Sequence, residues 1–140
     1  MMLKKQNECY AYFSVGGTFE PAEITQRVGI APTWSGREGE IVPGTQIRRK
    51  CGRWQLHSRL DKQASLEAHI WDVLAQLDVN PRAFEQLSSE FGGVMELVGY
   101  FYDYYPGLHF EREIVTQLAQ YSLSVDCDFY FRSEEEEEVS

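Results

Sequence analysis

The sequence predicts an α+β fold, a ferredoxin-like sandwich in which two β-α-β units joined by a helical linker form a four-stranded sheet. Three observations carry this expectation. First, the second half faintly echoes the first. Tyr12-Phe13, a Gly pair and Phe19-Glu20-Pro21-Ala22-Glu23-Ile24 have a counterpart in Tyr100-Phe101, Pro106-Gly107 and Phe110-Glu111-Arg112-Glu113-Ile114. Each reads as an aromatic strand, a turn and a helix with Glu-Ile in its first turns. Second, a strongly amphipathic stretch at 65–77 and a shorter one opened by Pro81 lie between the two units. Third, 124–131 alternates, with Val125, Cys127, Phe129 and Phe131 on one face and Asp126, Asp128 and Tyr130 on the other. That alternation describes a sheet covered on one side and wet on the other. Right-handed crossovers in both units would then place the main helices on one face.

Each element has a local reason. Residues 9–15 are rich in aromatic and β-forming side chains and stop at Gly16-Gly17, a first strand. Pro21 suits the first position of a helix, Glu20 and Glu23 favour its N-terminal dipole, and Gly29 is a stop. The stretch 31–52 holds Pro32, Gly36, Gly39, Pro43, Gly44 and Gly52 and reads as a long loop with a short strand near 45–49. Loops of such length are often functional. Residues 53–60 alternate, with Trp54, Leu56, Ser58 and Leu60 inward. Ser65 caps the clearest helix, whose buried stripe is Leu66, Ile70, Val73, Leu74 and Leu77. Asn80-Pro81 breaks it, and a second helix buries Phe84, Leu87 and Phe91 before Gly92-Gly93. A strand over 94–103, a turn at Pro106-Gly107, a helix over 111–121 with Ile114, Val115 and Leu118 inward, and the strand 124–131 complete the chain.

Composition bounds the function classes. One domain over 9–132 accounts for 140 residues of 43% hydrophobic and 14% aromatic content. The run of five glutamates at Glu134 to Glu138 makes 133–140 an acidic, solvated tail. No apolar run approaches the roughly 20 residues that cross a bilayer, so no membrane partner is expected. The N-terminus turns polar at once, which makes cytoplasm the expected compartment. Three widely spaced cysteines, Cys9, Cys51 and Cys127, do not suggest a disulfide framework. The net charge is −9, unevenly placed. Between Arg37 and Lys62 seven cationic residues face three carboxylates, a net +4, which leaves −13 for the remainder. So acidic a chain gains little from counterion release on nucleic acid.

The chemistry-bearing constellations are few. His57, His69 and His109 are far apart, without a second ligand type at metal spacing, and read as surface or boundary residues. No metal, cofactor or catalytic residue is expected. Cys51 has the electropositive neighbours Arg48, Arg49, Lys50 and Arg53 but no identifiable base. Asp126-x-Asp128 could hold a cation or do acid–base work, and the plainer reading is a solvated sheet face. In Tyr100-Phe101-Tyr102-Asp103-Tyr104-Tyr105, alternation sends Tyr100, Tyr102 and Tyr104 to one side and Phe101 and Tyr105 to the other. With Asp126, Asp128 and Tyr130 the first set forms a candidate protein interface, since exposed Tyr offers large area at low entropic cost. Trp34, Arg37, Arg48, Arg49 and Arg53 form a candidate anion-binding loop. The plainer reading is that these residues pair with the domain's own carboxylates or with the acidic tail.

The stretches Tyr10-Ala11-Tyr12-Phe13-Ser14-Val15, Phe19-Glu20-Pro21-Ala22-Glu23-Ile24-Thr25 and Val28-Gly29-Ile30-Ala31-Pro32-Thr33 resemble the opening of a family of small bacterial domains of unknown function, number 4279. Trp54-Gln55-Leu56-His57-Ser58 and Val125-Asp126-Cys127-Asp128-Phe129-Tyr130 fit the same pattern, so the resemblance spans 10–131. It implies a fold family and a bacterial-type origin, and no activity. The functional expectation is a non-enzymatic protein-binding module, of the immunity or antitoxin type, taking a basic partner. The alternative is a small anionic-ligand binder or enzyme using the basic Trp/Arg loop.

Overall fold

The structure, a computed structural model, describes residues 5–102 and 104–132. Nine elements follow in the order β1 (Glu8–Gly17), α1 (Pro21–Val28), β2 (Trp34–Gly36), β3 (Gly52–His57), α2 (Leu66–Leu77), α3 (Pro81–Phe91), β4 (Val94–Phe101), α4 (Arg112–Gln120) and β5 (Ser124–Phe131). The α+β class holds. The acidic stretch 133–140 lies outside the described residues.

The sheet has five strands, not four, in the order β2-β3-β1-β4-β5. β1 is central and antiparallel to both β3 and β4, whereas β4 and β5 run parallel. The two strands expected to close the first unit, β1 and β3, are therefore antiparallel, not the ends of a parallel crossover. After α1 the chain forms the short strand β2, then returns as β3 antiparallel to β1. Parallel crossovers run from β1 through α1 to β2 around β3, from β3 through α2 and α3 to β4 around β1, and from β4 through α4 to the neighbouring β5. The ferredoxin-like expectation is thus matched in part: β2-β3-β1-β4 are interleaved in that way, and β5 is added at the edge. The echo between the halves survives as β1-α1 against β4-α4, whose strands meet antiparallel at the centre of the sheet. The added strand sits at Trp34–Gly36, not at 45–49, where there is a single bridge between Ile41 and Arg48.

The helix ends follow local chemistry. Pro21 and Pro81 occupy first-turn positions of α1 and α3, where their missing N–H costs nothing. Ser65 Oγ accepts from the Ala68 N–H at 3.1 Å and caps α2. Gly29, at φ 85, closes α1 in the left-handed conformation that a side chain would strain.

All four helices cover one face of the sheet. Phe13, Trp54, Met95 and Leu97 from the strands meet Ile24 and Val28 of α1, Ile70, Val73, Leu74 and Leu77 of α2, Phe84 and Leu87 of α3, and Ile114 and Leu118 of α4 in one core. At its centre the Phe13 ring lies edge-on to Trp54 at 6.2 Å and to Phe84 at 5.5 Å. Trp54 is fully buried, and its Nε1 donates to Thr25 Oγ1 at 3.1 Å. Burying such a ring without a partner for its N–H would cost part of the gain.

Three burial expectations fail, the first at Leu60, which is exposed because β3 ends at His57 and the alternation ends with it. Val115 is 53% exposed, because the inward stripe of α4 is Ile114, Leu118 and then Tyr121. In β5 the register is as expected, since Val125, Cys127 and Phe129 pair with Met95, Leu97 and Gly99. Yet Val125, Cys127 and Phe131 are exposed. β5 is the edge strand, and the helical layer does not reach fully over it. Only Phe129 is half-covered, by Phe101 at 5.4 Å and Tyr105 at 6.4 Å.

Candidate functional site

The face away from the helices is uncovered. Period-two alternation places Tyr10, Tyr12 and Ser14 of β1, Arg53, Gln55 and His57 of β3, Glu96, Val98 and Tyr100 of β4, and Asp126, Asp128 and Tyr130 of β5 on it. The registers align these side chains in rows. One row runs His57, Tyr12, Glu96, Asp126. The next runs Tyr10, Val98, Asp128. The last runs Glu8, Tyr100, Tyr130.

Aromatic stacking organises this face. Tyr12 and His57 stack at 4.5 Å with 8° between planes, and Tyr10 lies over both at about 6 Å. Tyr100 and Tyr130 stack at 5.2 Å and 16°. Lys62 and Arg132 lie over the rings of Tyr10 and Tyr100. Ser14 and Val98 are buried although they face outward, shielded by these larger neighbours.

Electrostatically the face is acidic at the β5 side. Burial and the neighbouring Asp126 and Asp128 carboxylates push the Glu96 carboxyl above its usual range, with Arg53 opposing. Burial and the same three carboxylates raise the Cys127 thiol, so it is a poor nucleophile. Burial raises the Tyr12 hydroxyl, with Glu96 adding to the effect.

The predicted interface residues divide. Tyr100, Asp126, Asp128 and Tyr130 come together on the open face as expected. Tyr102 and Tyr104 do not join them, because β4 ends at Phe101 and alternation ends with it. Tyr102 lies beside Lys5. Tyr104 lines a cavity of about 500 Å³ on the helix side, with Cys9, Leu66, Phe101 and Phe110.

The predicted basic loop also divides. Arg37 Nε bonds Glu20 at 2.9 Å, and Arg48 Nη1 donates to the Gly39 carbonyl at 2.8 Å. Arg49 stacks over Trp34 at 4.8 Å. Trp34 opens β2, opposite Gln55, so it belongs to the far edge of the open face. Arg53 lies against Gly16 on that face and acts on Tyr12 and Glu96. Arg37, Arg48 and Arg49 are thus engaged within the chain.

Three further features were not legible in the sequence. His69 is fully buried, not a boundary residue, and its Nδ1 meets Ser58 Oγ at 2.6 Å. Ser58 Oγ also accepts from the Ala11 N–H at 3.3 Å. His57 reads in the sequence as a surface or boundary residue, and in the structure it is stacked on Tyr12; the one sequence signal was its place on the polar face of an alternating strand. Glu67, His109 and Glu111 bring ligand atoms within 4.8 Å of one another at the mouth of the cavity, a mixed oxygen and nitrogen donor set of the kind that divalent cations use. His109 Nε2 is already 3.1 Å from Glu111 Oε1.

Among the described residues no helix is long and apolar enough to cross a membrane. No curated protein and no solved structure matches the chain. A family model, described as a domain of unknown function and numbered DUF4279, matches residues 7–132. That match begins one residue before β1 and ends one residue after β5. It takes in every strand of the open face and every helix behind it, and the chain belongs to the DUF4279 family.

Proposed function

We propose that this domain is a non-enzymatic protein-binding module, comparable to immunity or antitoxin proteins, and that its partner is basic. One observation carries the reading. Glu96, Asp126 and Asp128 converge on an uncovered sheet face beside stacked tyrosines, with Arg53 the cation that acts on Glu96. Three neighbouring carboxylates repel one another, and a cationic partner would relieve that repulsion on docking. Stacked Tyr pairs supply rigid apolar area around the charges. On the helix-covered face the side chains of β1, β3 and β4 form the core instead.

The second reading is a small anionic-ligand binder or enzyme at the basic loop. It draws on one observation, the Arg49 guanidinium over Trp34 with a buried Nε that has no hydrogen-bond partner.

The test pairs two titrations. A basic globular protein is titrated into wild type and into Asp126→Asn/Asp128→Asn at low and high salt. Salt-sensitive binding that weakens at least about tenfold in the variant supports the module. Inorganic phosphate and small carboxylates are titrated in parallel, with Trp fluorescence as readout. Binding of anions but of no basic protein would overturn the first reading in favour of the second.

A further inference from the structure

We propose that β5 is the docking element, and that the partner adds an extended segment of alternating basic and apolar residues antiparallel to it, as a sixth strand of the sheet. This rests on the reading of a basic partner above and deepens it.

The backbone supports the edge. Among the described strands β5 has one neighbour, β4. The Ser124 N–H donates to the Gly93 carbonyl at 3.1 Å and the Arg132 N–H to the Phe101 carbonyl at 2.8 Å. Even-numbered residues of β5 therefore turn their backbone groups toward β4. In a parallel ladder the intervening residues turn theirs away. Val125, Cys127, Phe129 and Phe131 thus direct N–H and C=O outward along an eight-residue strand. The opposite edge, β2, has three residues and offers far less. A long edge strand is a template for another chain unless something blunts it.

The side chains select the occupant. Asp126 and Asp128 point to the open face at a two-residue interval. Residues of an antiparallel strand directly opposite them would bring their Cβ atoms within about 4.5–5.5 Å, so Lys or Arg two apart would pair with both carboxylates. Between those positions the incoming side chain falls on the helix face, opposite Cys127 and beside the exposed Val125 and Phe131. An apolar residue fits there. Main-chain bonds would give affinity and the alternate side chains specificity, as in other strand additions. A second copy of this chain fits poorly, because antiparallel pairing of β5 with itself would set these aspartates against each other.

The test uses two synthetic peptides of one composition. In one, Lys alternates with Val. In the other, the same residues are ordered at helical spacing. Binding is followed by calorimetry and by amide hydrogen exchange in the complex. The expected result is binding of the alternating peptide at least about tenfold tighter than the other. Exchange at Cys127 and Phe129 slows, while Asp126 and Asp128, already bonded to β4, change little. Cys127→Pro removes one outward N–H without touching the β4 ladder, and it should abolish the preference. Should that variant misfold, the exchange measurement on wild type decides alone. Equal binding of both peptides without protection at Cys127 and Phe129 overturns strand addition and leaves the basic-partner reading standing. No binding of either peptide, with salt-sensitive binding of a basic globular protein, has the same consequence. No binding of any of these overturns both. A concentration-dependent dimer of the free chain that protects the β5 edge overturns the choice of occupant.

Discussion

Glu96 is the residue whose environment is most clearly at odds with its charge. Burial and the Asp126 and Asp128 carboxylates raise its pKa above the unfolded value. A raised carboxyl contributes stability below the unfolded pKa and loses it as pH rises through the folded one. At neutral pH the ionised Glu96 therefore costs stability. Glu96→Gln should raise the melting temperature at pH 7 by on the order of 1–3 °C, with the gain vanishing near pH 4. Melting curves at the two pH values decide, and an equal gain at both would disprove the charge argument. His69 has the opposite sign. Burial lowers its pKa, against the pull of the Asp61 backbone and the Asp72 and Asp61 carboxylates. Its contribution is present above the unfolded value of about 6.5 and is lost as pH falls through the folded one. Its imidazole should titrate below pH 6.5 by NMR. Ser58→Ala, which removes the hydrogen-bond partner of Nδ1, should destabilise by about 1–2 kcal/mol in chemical denaturation. A cost near zero would show that the buried ring finds another partner.

At the scale of the element, ends were easier to read than pairings. The caps of α1 and α2 depend on residues adjacent in sequence, so Pro21, Gly29 and Ser65 announced them. Ser65→Ala should cost about 1 kcal/mol by urea unfolding, since it orphans the Ala68 N–H. β2 was missed because its three residues carry no periodicity and exist only by pairing with β3. Gly52 read as one more glycine of a loop, but it starts β3 where α1 begins. A Cβ there would lie 2.5 Å from the Phe19 carbonyl oxygen. Backbone cannot yield as a side-chain tip does, so Gly52→Ala should destabilise by about 1–3 kcal/mol. An unchanged unfolding midpoint would mean that the β1–α1 turn is softer than its packing implies. The alternation of β5 correctly assigned its faces and wrongly implied their burial. Which face a residue takes is local; whether helices extend over an edge strand is not.

Over the whole molecule, charge is separated along the sheet. Arg49 and Arg53 lie with Trp34 toward the β2 edge, and Asp126 and Asp128 lie on the β5 edge. Such a layout would orient an approaching cationic partner toward β5. Its association rate should fall about tenfold or more between low and physiological salt while dissociation changes little, which stopped-flow measurement can resolve. A salt-independent association rate would remove steering from the proposal. The amino-acid order by itself determined the α+β class, the helix starts and stops, the inward stripe of α2, the faces of β5 and the aromatic–acidic character of one surface. These depend on periodicity, capping and side-chain chemistry within a few residues. The antiparallel return of β3, the fifth strand, the burial of His69 against Ser58, the stacking of His57 on Tyr12 and the open edge of β5 were decided only by tertiary structure. Each depends on which distant segments become neighbours, and the strands' alternation is equally compatible with parallel and antiparallel partners.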